Sequence, residues 1–141
     1  MRYWPHMTQS GPRVLLVEDD QIFGEILKKR FEAAGIDLTL APTGTEGIEH
    51  LEHDAIFDVI LLDISLPDMD GFEVLSRIRT VPALSSVPVI IISNFVQDND
   101  PKWGASMGVE KSVQKSSVMP GDIVEMVLSA YPHKSPEAGA V

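Results

Sequence analysis

Carboxylate residues follow two apolar runs of this sequence, at the points where buried strands would end. The triplet Glu18-Asp19-Asp20 comes directly after Val14–Val17, and Asp63 comes directly after Val59–Leu62. Carboxylates brought close together repel one another unless a cation joins them. The chain has no cysteine, and no histidine stands at ligand spacing nearby, so the ligands would all be oxygen atoms, which suits Mg²⁺ or Mn²⁺. A carboxylate in such a site can attack phosphorus and form an acyl phosphate.

Two further polar residues stand where later strands would end, namely Ser93 and Lys115. The Ser93 hydroxyl could donate to a phosphoryl oxygen, and Lys115 would add positive charge during transfer. Taken singly, each has a structural explanation, since serine hydroxyls are commonly satisfied within the fold and lysines are commonly solvated. Asp63 is harder to explain alone, because a charge that closes a buried strand needs a partner.

The other acidic residues near these runs have simpler interpretations. An aspartate between a strand and a helix is often only an N-cap, which applies to Asp19 or Asp20 taken alone. Asp68 and Asp70 suit loop and cap roles. The functional interpretation therefore depends on the combination at four strand ends and not on any one residue.

The elements that would position these residues alternate along the chain. Short apolar runs alternate with amphipathic segments, which predicts an α/β fold with a five-stranded parallel sheet covered by five helices. The carboxyl ends of parallel strands lie on one edge, where ligands bind at the switch point of the strand order. The predicted strands are Val14–Val17, Asp37–Ala41, Val59–Leu62, Val87–Ile92 and Val109–Gln114. The predicted helices lie between Asp20 and Gly35, over Thr45–His53, over Phe72–Thr80, from Asp100 onward, and over Pro120–Tyr131.

Length and composition limit the functional classes. The 141 residues, 44% of them hydrophobic, predict one domain with a real core, over 13–131, flanked by a disordered or appended extension (1–12) and a disordered tail (132–141). A net charge of −10 argues against nucleic-acid binding, because phosphate backbones are also negative. No apolar run approaches a membrane span, so no membrane insertion is expected. The absence of cysteine fits a cytoplasmic location.

The ordered set of motifs resembles the receiver domain of bacterial two-component response regulators. Val14–Asp20 resembles the first strand and acidic pair of that family, and Leu62–Gly71 resembles its phosphoacceptor strand and loop. Ala41–Glu46 resembles the turn into the second helix, and Gly108 to Lys115 resembles the approach to the family's lysine. The resemblance covers about 13–131 and implies a doubly wound, flavodoxin-like fold with strand order 2-1-3-4-5.

The resemblance also implies a role for each site residue. Asp63 would accept a phosphoryl group from a histidine kinase or a histidine phosphotransfer protein. Asp19 would bind Mg²⁺ (or Mn²⁺) directly, Glu18 would act through bound water, and the backbone carbonyl of Ser65 would complete the protein ligands. The expected metal ligands are thus Glu18, Asp19, Asp63 and Ser65, and the expected phosphoryl contacts are the switch hydroxyl of Ser93 and the amine of Lys115.

Three positions depart from the family pattern. Ser112 stands where an aromatic residue is usual, Ser116 stands where the lysine is usually followed by a cis proline, and Asn94 stands where a small residue is common. A cis bond before a residue other than proline costs about 2.5–4 kcal/mol, so a trans loop is expected at Lys115. These departures predict retained phosphoryl chemistry with an altered readout of the signal.

The leading hypothesis is a stand-alone receiver, which catalyses only its own phosphorylation and dephosphorylation. It would signal through protein–protein contacts on the face formed by the fourth helix, the fifth strand and the fifth helix. One alternative is a constitutive interaction module in which phosphorylation drives no switch. Another is a Mg²⁺-dependent phosphohydrolase, which Ser65 disfavours because such enzymes commonly have a second carboxylate at that position.

Overall fold

The sheet is parallel throughout and has the predicted strand order. The computed structural model describes residues 11–53, 56–95 and 108–131. Five strands pair in the order β2-β1-β3-β4-β5, each parallel to its neighbours. The strands are β1 (Arg13–Val17), β2 (Asp37–Ala41), β3 (Val59–Leu62), β4 (Val89–Ser93) and β5 (Val109–Gln114). Strand β4 begins at Val89 and not at Val87, because Pro88 has no N–H to contribute to the ladder.

Four α-helices lie within the described residues. They are α1 (Gln21–Ala33), α2 (Gly44–His53), α3 (Gly71–Thr80) and α4 (Pro120–Ala130), and short 3₁₀ turns span Pro82–Leu84 and Lys115–Ser117. The helix predicted from Asp100 lies outside the described residues, as do 1–10 and 132–141. The predicted domain boundaries therefore stay predictions. In the described ranges no helix has the length and apolar character that crossing a membrane requires.

Two apolar clusters fill the two faces of the sheet. One contains buried residues of α2 and α3, such as Leu51 and Leu75, and the other contains buried residues of α1 and α4, such as Phe31 and Ile123. Strands β1, β3 and β4 contribute to both clusters, since successive side chains point to opposite faces. This two-sided burial explains why their sequences are continuous apolar runs.

The helical spacing of apolar residues in the sequence predicts a wide buried face on the first helix that includes Ile22 and Ile26, but the buried face is narrower than that. Leu27 and Phe31 of α1 are fully buried, whereas Ile22 is 74% exposed and Ile26 is 49% exposed. A helix that covers one face of a sheet buries only a stripe of its surface, so the outer members of a wide apolar face remain in solvent. The spacing of Phe72, Leu75 and Ile78 likewise predicts that Phe72 faces the core, but Phe72, in the first turn of α3, is 39% exposed.

Candidate functional site

The carboxyl ends of β1 and β3 bring two acidic residues side by side. Val17 pairs with Leu62 in the parallel register, so the next residues, Glu18 and Asp63, leave the sheet together. The N–H of Asp63 donates to the carbonyl of Val17 at 3.0 Å, which holds the two strand ends level. Both side chains are buried, each residue being 5% exposed. The sheet thus places two carboxylates within about one strand spacing, roughly 4.8 Å.

Glu18 lies in an environment that disfavours its ionised form. Burial, aided by the charge of Asp63, raises the pKa of its carboxyl to about 7, although contacts with Lys115 and with the Asp20 N–H (3.0 Å to Oε2) act in the opposite direction. Oε1 lies 2.8 Å from Lys115 Nζ as an ion pair. The direction of that contact does not meet hydrogen-bond geometry, and Oε1 has no hydrogen-bond donor among the described residues.

Lys115 reaches the carboxylates from the end of β5. Its Nζ lies 2.8 Å from Glu18 Oε1 and 3.7 Å from Asp20 Oδ2, and its side chain is only 14% exposed. The same ammonium lies 4.7 Å from the centre of the Phe23 ring, within cation–π range. Burial lowers the pKa of Lys115, but the close contact with the Glu18 carboxylate and its charge, with the charges of Asp63 and Asp20, raise it above its ordinary value. Lys115 therefore carries a positive charge at this edge.

The backbone just after β3 orients the Asp63 side chain. The N–H of Ser65 donates to Asp63 Oδ1 at 2.9 Å, and Ser65 forms an antiparallel bridge with Asp70. Asp70 in turn is the N-cap of α3, accepting from the Phe72 N–H at 2.8 Å. The loop between Asp63 and α3 is thereby tied at both of its ends. The role expected for the Ser65 carbonyl as a metal ligand stays a prediction.

Ser93 and Ser112 are both buried polar residues of the adjoining strands. Ser93 ends β4, is 0% exposed, and its hydroxyl oxygen accepts from the Phe95 N–H at 3.2 Å. Ser112, on β5, is 2% exposed and pairs with Ile91 in the ladder. A buried serine thus occupies the place expected for an aromatic switch residue.

The donor set fits a hard divalent cation. One ligand oxygen from each of Glu18, Asp19 and Asp63 lies within 4.8 Å of the others. Carboxylate oxygens this close together could hold one hard cation, directly or through bound water. The Glu18 oxygen without a hydrogen-bond donor and the mutual repulsion of buried carboxylates both favour a cation there.

Asp19 and Asp20, the two aspartates that could cap the first helix, have different roles in the structure. Asp20 is the N-cap of α1, accepting from the Phe23 N–H at 3.1 Å, whereas Asp19 is exposed and belongs to the carboxylate cluster. The predicted cap role is therefore confirmed for Asp20. Its second contact, with Lys115, was not predicted, because nothing in a sequence indicates how far a lysine 95 residues away will reach.

Asp68 caps a helix that the sequence pattern does not identify. Its carboxylate accepts from the Gly44 N–H (2.8 Å), the Thr45 N–H (2.9 Å) and the Thr45 hydroxyl (2.6 Å), which keeps its pKa below the ordinary value. Asp68 therefore caps α2 from the neighbouring loop and ties that helix to the segment after Asp63. The predicted cap role is confirmed, but the helix it caps lies 24 positions earlier in the chain.

Comparison with known proteins identifies the family to which this fold and this site belong. The family model described as response regulator receiver domain matches residues 14–128. The chain belongs to this family, whose members are the phosphoacceptor signalling domains of two-component systems. The fold predicted from the resemblance is confirmed.

Individual relatives are similar over most of this chain. The transcriptional activator protein PfeR of Pseudomonas aeruginosa is 34% identical over 110 residues, which are 78% of this chain and 35% of PfeR. A 14.6 kDa protein of Leptolyngbya boryana is 27% identical over 81% of this chain and 86% of its own length. The crystal structure of a CheY-like response regulator receiver domain from Methanospirillum hungatei is 26% identical, with a TM-score of 0.77, over 91% of this chain and 99% of that chain. The chain spans only 13–46% of the first four curated relatives it matches.

Proposed function

We propose that this receiver domain accepts a phosphoryl group on Asp63 from a histidine kinase or a histidine phosphotransfer protein. The observation that carries the proposal is the buried Asp63 carboxylate beside Glu18, with the Lys115 ammonium held at the same edge by a 2.8 Å ion pair. Glu18, Asp19, Asp63 and the Ser65 carbonyl would hold Mg²⁺ (or Mn²⁺). When bound, the ion neutralises charge on the phosphoryl oxygens.

The side chains have distinct tasks in the transfer. The Ser65 N–H holds Asp63 Oδ1, so we assign the attack on phosphorus to Oδ2. The new O–P bond forms as the P–N bond of phosphohistidine breaks. The electron pair of the P–N bond returns to the imidazole nitrogen, which takes up a proton. The Lys115 ammonium and the Ser93 hydroxyl donate to the phosphoryl oxygens. Lys115 would exchange part of its contact with Glu18 for this new anion.

Labelling with a small phosphodonor tests the proposed acceptor. Acetyl phosphate with Mg²⁺ is expected to add one phosphoryl group per chain, and EDTA or Asp63→Asn should abolish the label. Asp37→Asn is the matched control, because this exposed aspartate is the first residue of β2 and lies at the amino ends of the strands, away from the site at their carboxyl ends. Stoichiometric labelling of Asp63→Asn would show that another residue is the acceptor.

The proposed output of this receiver is direct binding to another protein, with no further domain taking part. The match to the Leptolyngbya boryana protein, which extends over 86% of that small protein, supports a stand-alone arrangement. The net charge of −10 supports a protein partner over a nucleic acid.

Beryllofluoride, which mimics the phosphoryl group, separates a switch from a constitutive module. Added with Mg²⁺ to the ¹⁵N-labelled chain, it is expected to shift amide resonances from Ser93 outward along β5 and α4. Shifts confined to the residues around Asp63 would instead favour a module in which phosphorylation drives no change.

A further inference from the structure

One side-chain hydrogen bond joins the loops that follow β4 and β5. The Ser116 N–H donates to the Asn94 Oδ1 at 3.1 Å. Ser93 pairs with Gln114 at the end of the ladder, so these two loops leave the sheet side by side. The bond therefore continues the cross-strand pairing beyond the last backbone pair.

The two residues in this bond are the two that depart from the family pattern at these loops. The residue after Lys115 has an N–H only because it is not proline. Asn94 supplies an acceptor for that N–H, which an alanine or glycine side chain at the same position lacks. The described residues contain no cis peptide bond, so the Lys115–Ser116 bond is trans. Asn94 and Ser116 thus form one matched pair in place of a small residue and a proline.

The segment that this bond holds is short and carries Lys115. Lys115–Ser117 is a single 3₁₀ turn with no side-chain cap, and the Ser117 hydroxyl donates to the carbonyl of Gln114, the residue just before the turn, at 2.9 Å. Lys115 nevertheless reaches Glu18 at 2.8 Å with its side chain largely buried. A link from this turn to β4 limits the backbone positions from which the ammonium can reach the site.

We propose that Asn94 is a positioning residue for phosphoryl transfer: its amide oxygen holds the Ser116 N–H and so keeps Lys115 directed at the phosphoryl site. Asn94 does not contact the reacting atoms in this role, which rests on the proposed function of Asp63. The bond also connects the end of β4, where Ser93 contacts the phosphoryl group, to the lysine that contacts it from β5.

A double-mutant cycle tests the link, because proline removes the donor and alanine removes the acceptor. Phosphorylation by phosphoramidate is measured for the wild type, Asn94→Ala, Ser116→Pro and the double variant at saturating Mg²⁺. Asn94→Ala is expected to slow labelling about two- to tenfold, the range that one hydrogen bond of about 0.5–1.4 kcal/mol supports. In the Ser116→Pro background the same change should have no further effect.

Two more measurements separate positioning from general loss of stability. Asn94→Ala should weaken beryllofluoride binding by the same factor while Mg²⁺ affinity stays within about twofold, because Lys115 contacts the phosphoryl analogue. Ser85→Ala is the control for loss of an exposed side-chain hydrogen bond, because the Ser85 hydroxyl donates to the Pro82 carbonyl before the start of β4, away from the site. This variant should be labelled at the wild-type rate.

Amide hydrogen exchange at Ser116 tests the contact independently of phosphorylation. Exchange should be faster in Asn94→Ala than in the wild type, whereas unchanged exchange would overturn the proposal. Wild-type labelling rates in Asn94→Ala, or equal slowing in both backgrounds of the cycle, would also overturn it. If the wild type itself takes no phosphoryl group, the proposed function fails, and the exchange result still decides whether Asn94 holds the Lys115 turn.

Discussion

Replacing Glu18 by glutamine should stabilise the metal-free protein at alkaline pH. Glu18 is buried next to Asp63, and this environment raises its pKa from 4.5 to about 7. One pKa unit corresponds to about 1.4 kcal/mol, so the ionised side chain costs the folded state about 3 kcal/mol at most. Glutamine has nearly the same shape and no charge to desolvate.

The sign of the effect gives a definite pH dependence. A carboxyl whose pKa is raised on folding contributes its stability fully below pH 4.5, and that contribution is lost as the pH rises through about 7. The difference between the variant and the wild type should therefore be small at pH 5 and approach its full size at pH 8.

Urea denaturation in EDTA at pH 5 and pH 8 measures this difference as a free energy of unfolding. Glu25→Gln is the matched control, since it removes the same charge from an exposed position on α1 and should change stability by less than about 0.5 kcal/mol. Addition of Mg²⁺ should stabilise the wild type more than Glu18→Gln and so reduce the difference. If Glu18→Gln is no more stable than the wild type at pH 8 without metal, the electrostatic reasoning is wrong.

Three further changes test the parts of the fold that support the site. Asp68→Asn should weaken the start of α2, because it removes the charge that accepts from the Gly44 N–H. The stability that this charge contributes is present above the unfolded pKa of 3.8 and is lost as the pH falls below that value, so acid unfolding monitored by circular dichroism would detect its removal. Gly71→Ala should slow labelling of Asp63, because an added Cβ would lie 2.5 Å from the Cα of Ile64; an unchanged rate would show that the loop adapts. Arg79→Gln should destabilise the chain by about 1.5–3 kcal/mol in urea, since it loses charged hydrogen bonds to carbonyls that include Gly108 at 2.7 Å; a change below about 0.5 kcal/mol would contradict this.

Local sequence patterns predicted most of the elements of the fold. Apolar runs such as Val59–Leu62 have few alternatives to a buried parallel strand, because continuous apolar surface must be covered on both sides. The turn chemistry around Asp70 marked the start of α3, because an N-cap satisfies an amide only a few residues away. These interactions are short in sequence, so the residues themselves indicate them.

Contacts between distant segments were harder to predict. The sequence pattern assigned Ile22 and Phe72 to the core, but the width of the face each helix buries depends on how it lies on the sheet. Likewise, Asp68 was recognisable as a capping residue, yet only the packing of the loop against α2 decides which helix it caps.

The residue types alone indicated that oxygen ligands, a hydroxyl and an amine stand at the ends of parallel strands, because strand ends follow from local hydrophobicity. Only the tertiary structure decided that Glu18 is buried against Lys115, that Phe23 lies beneath the ammonium, and that Asn94 meets Ser116. Those contacts depend on strand register and side-chain reach, and both are set by packing across the whole sheet and not by neighbours along the chain.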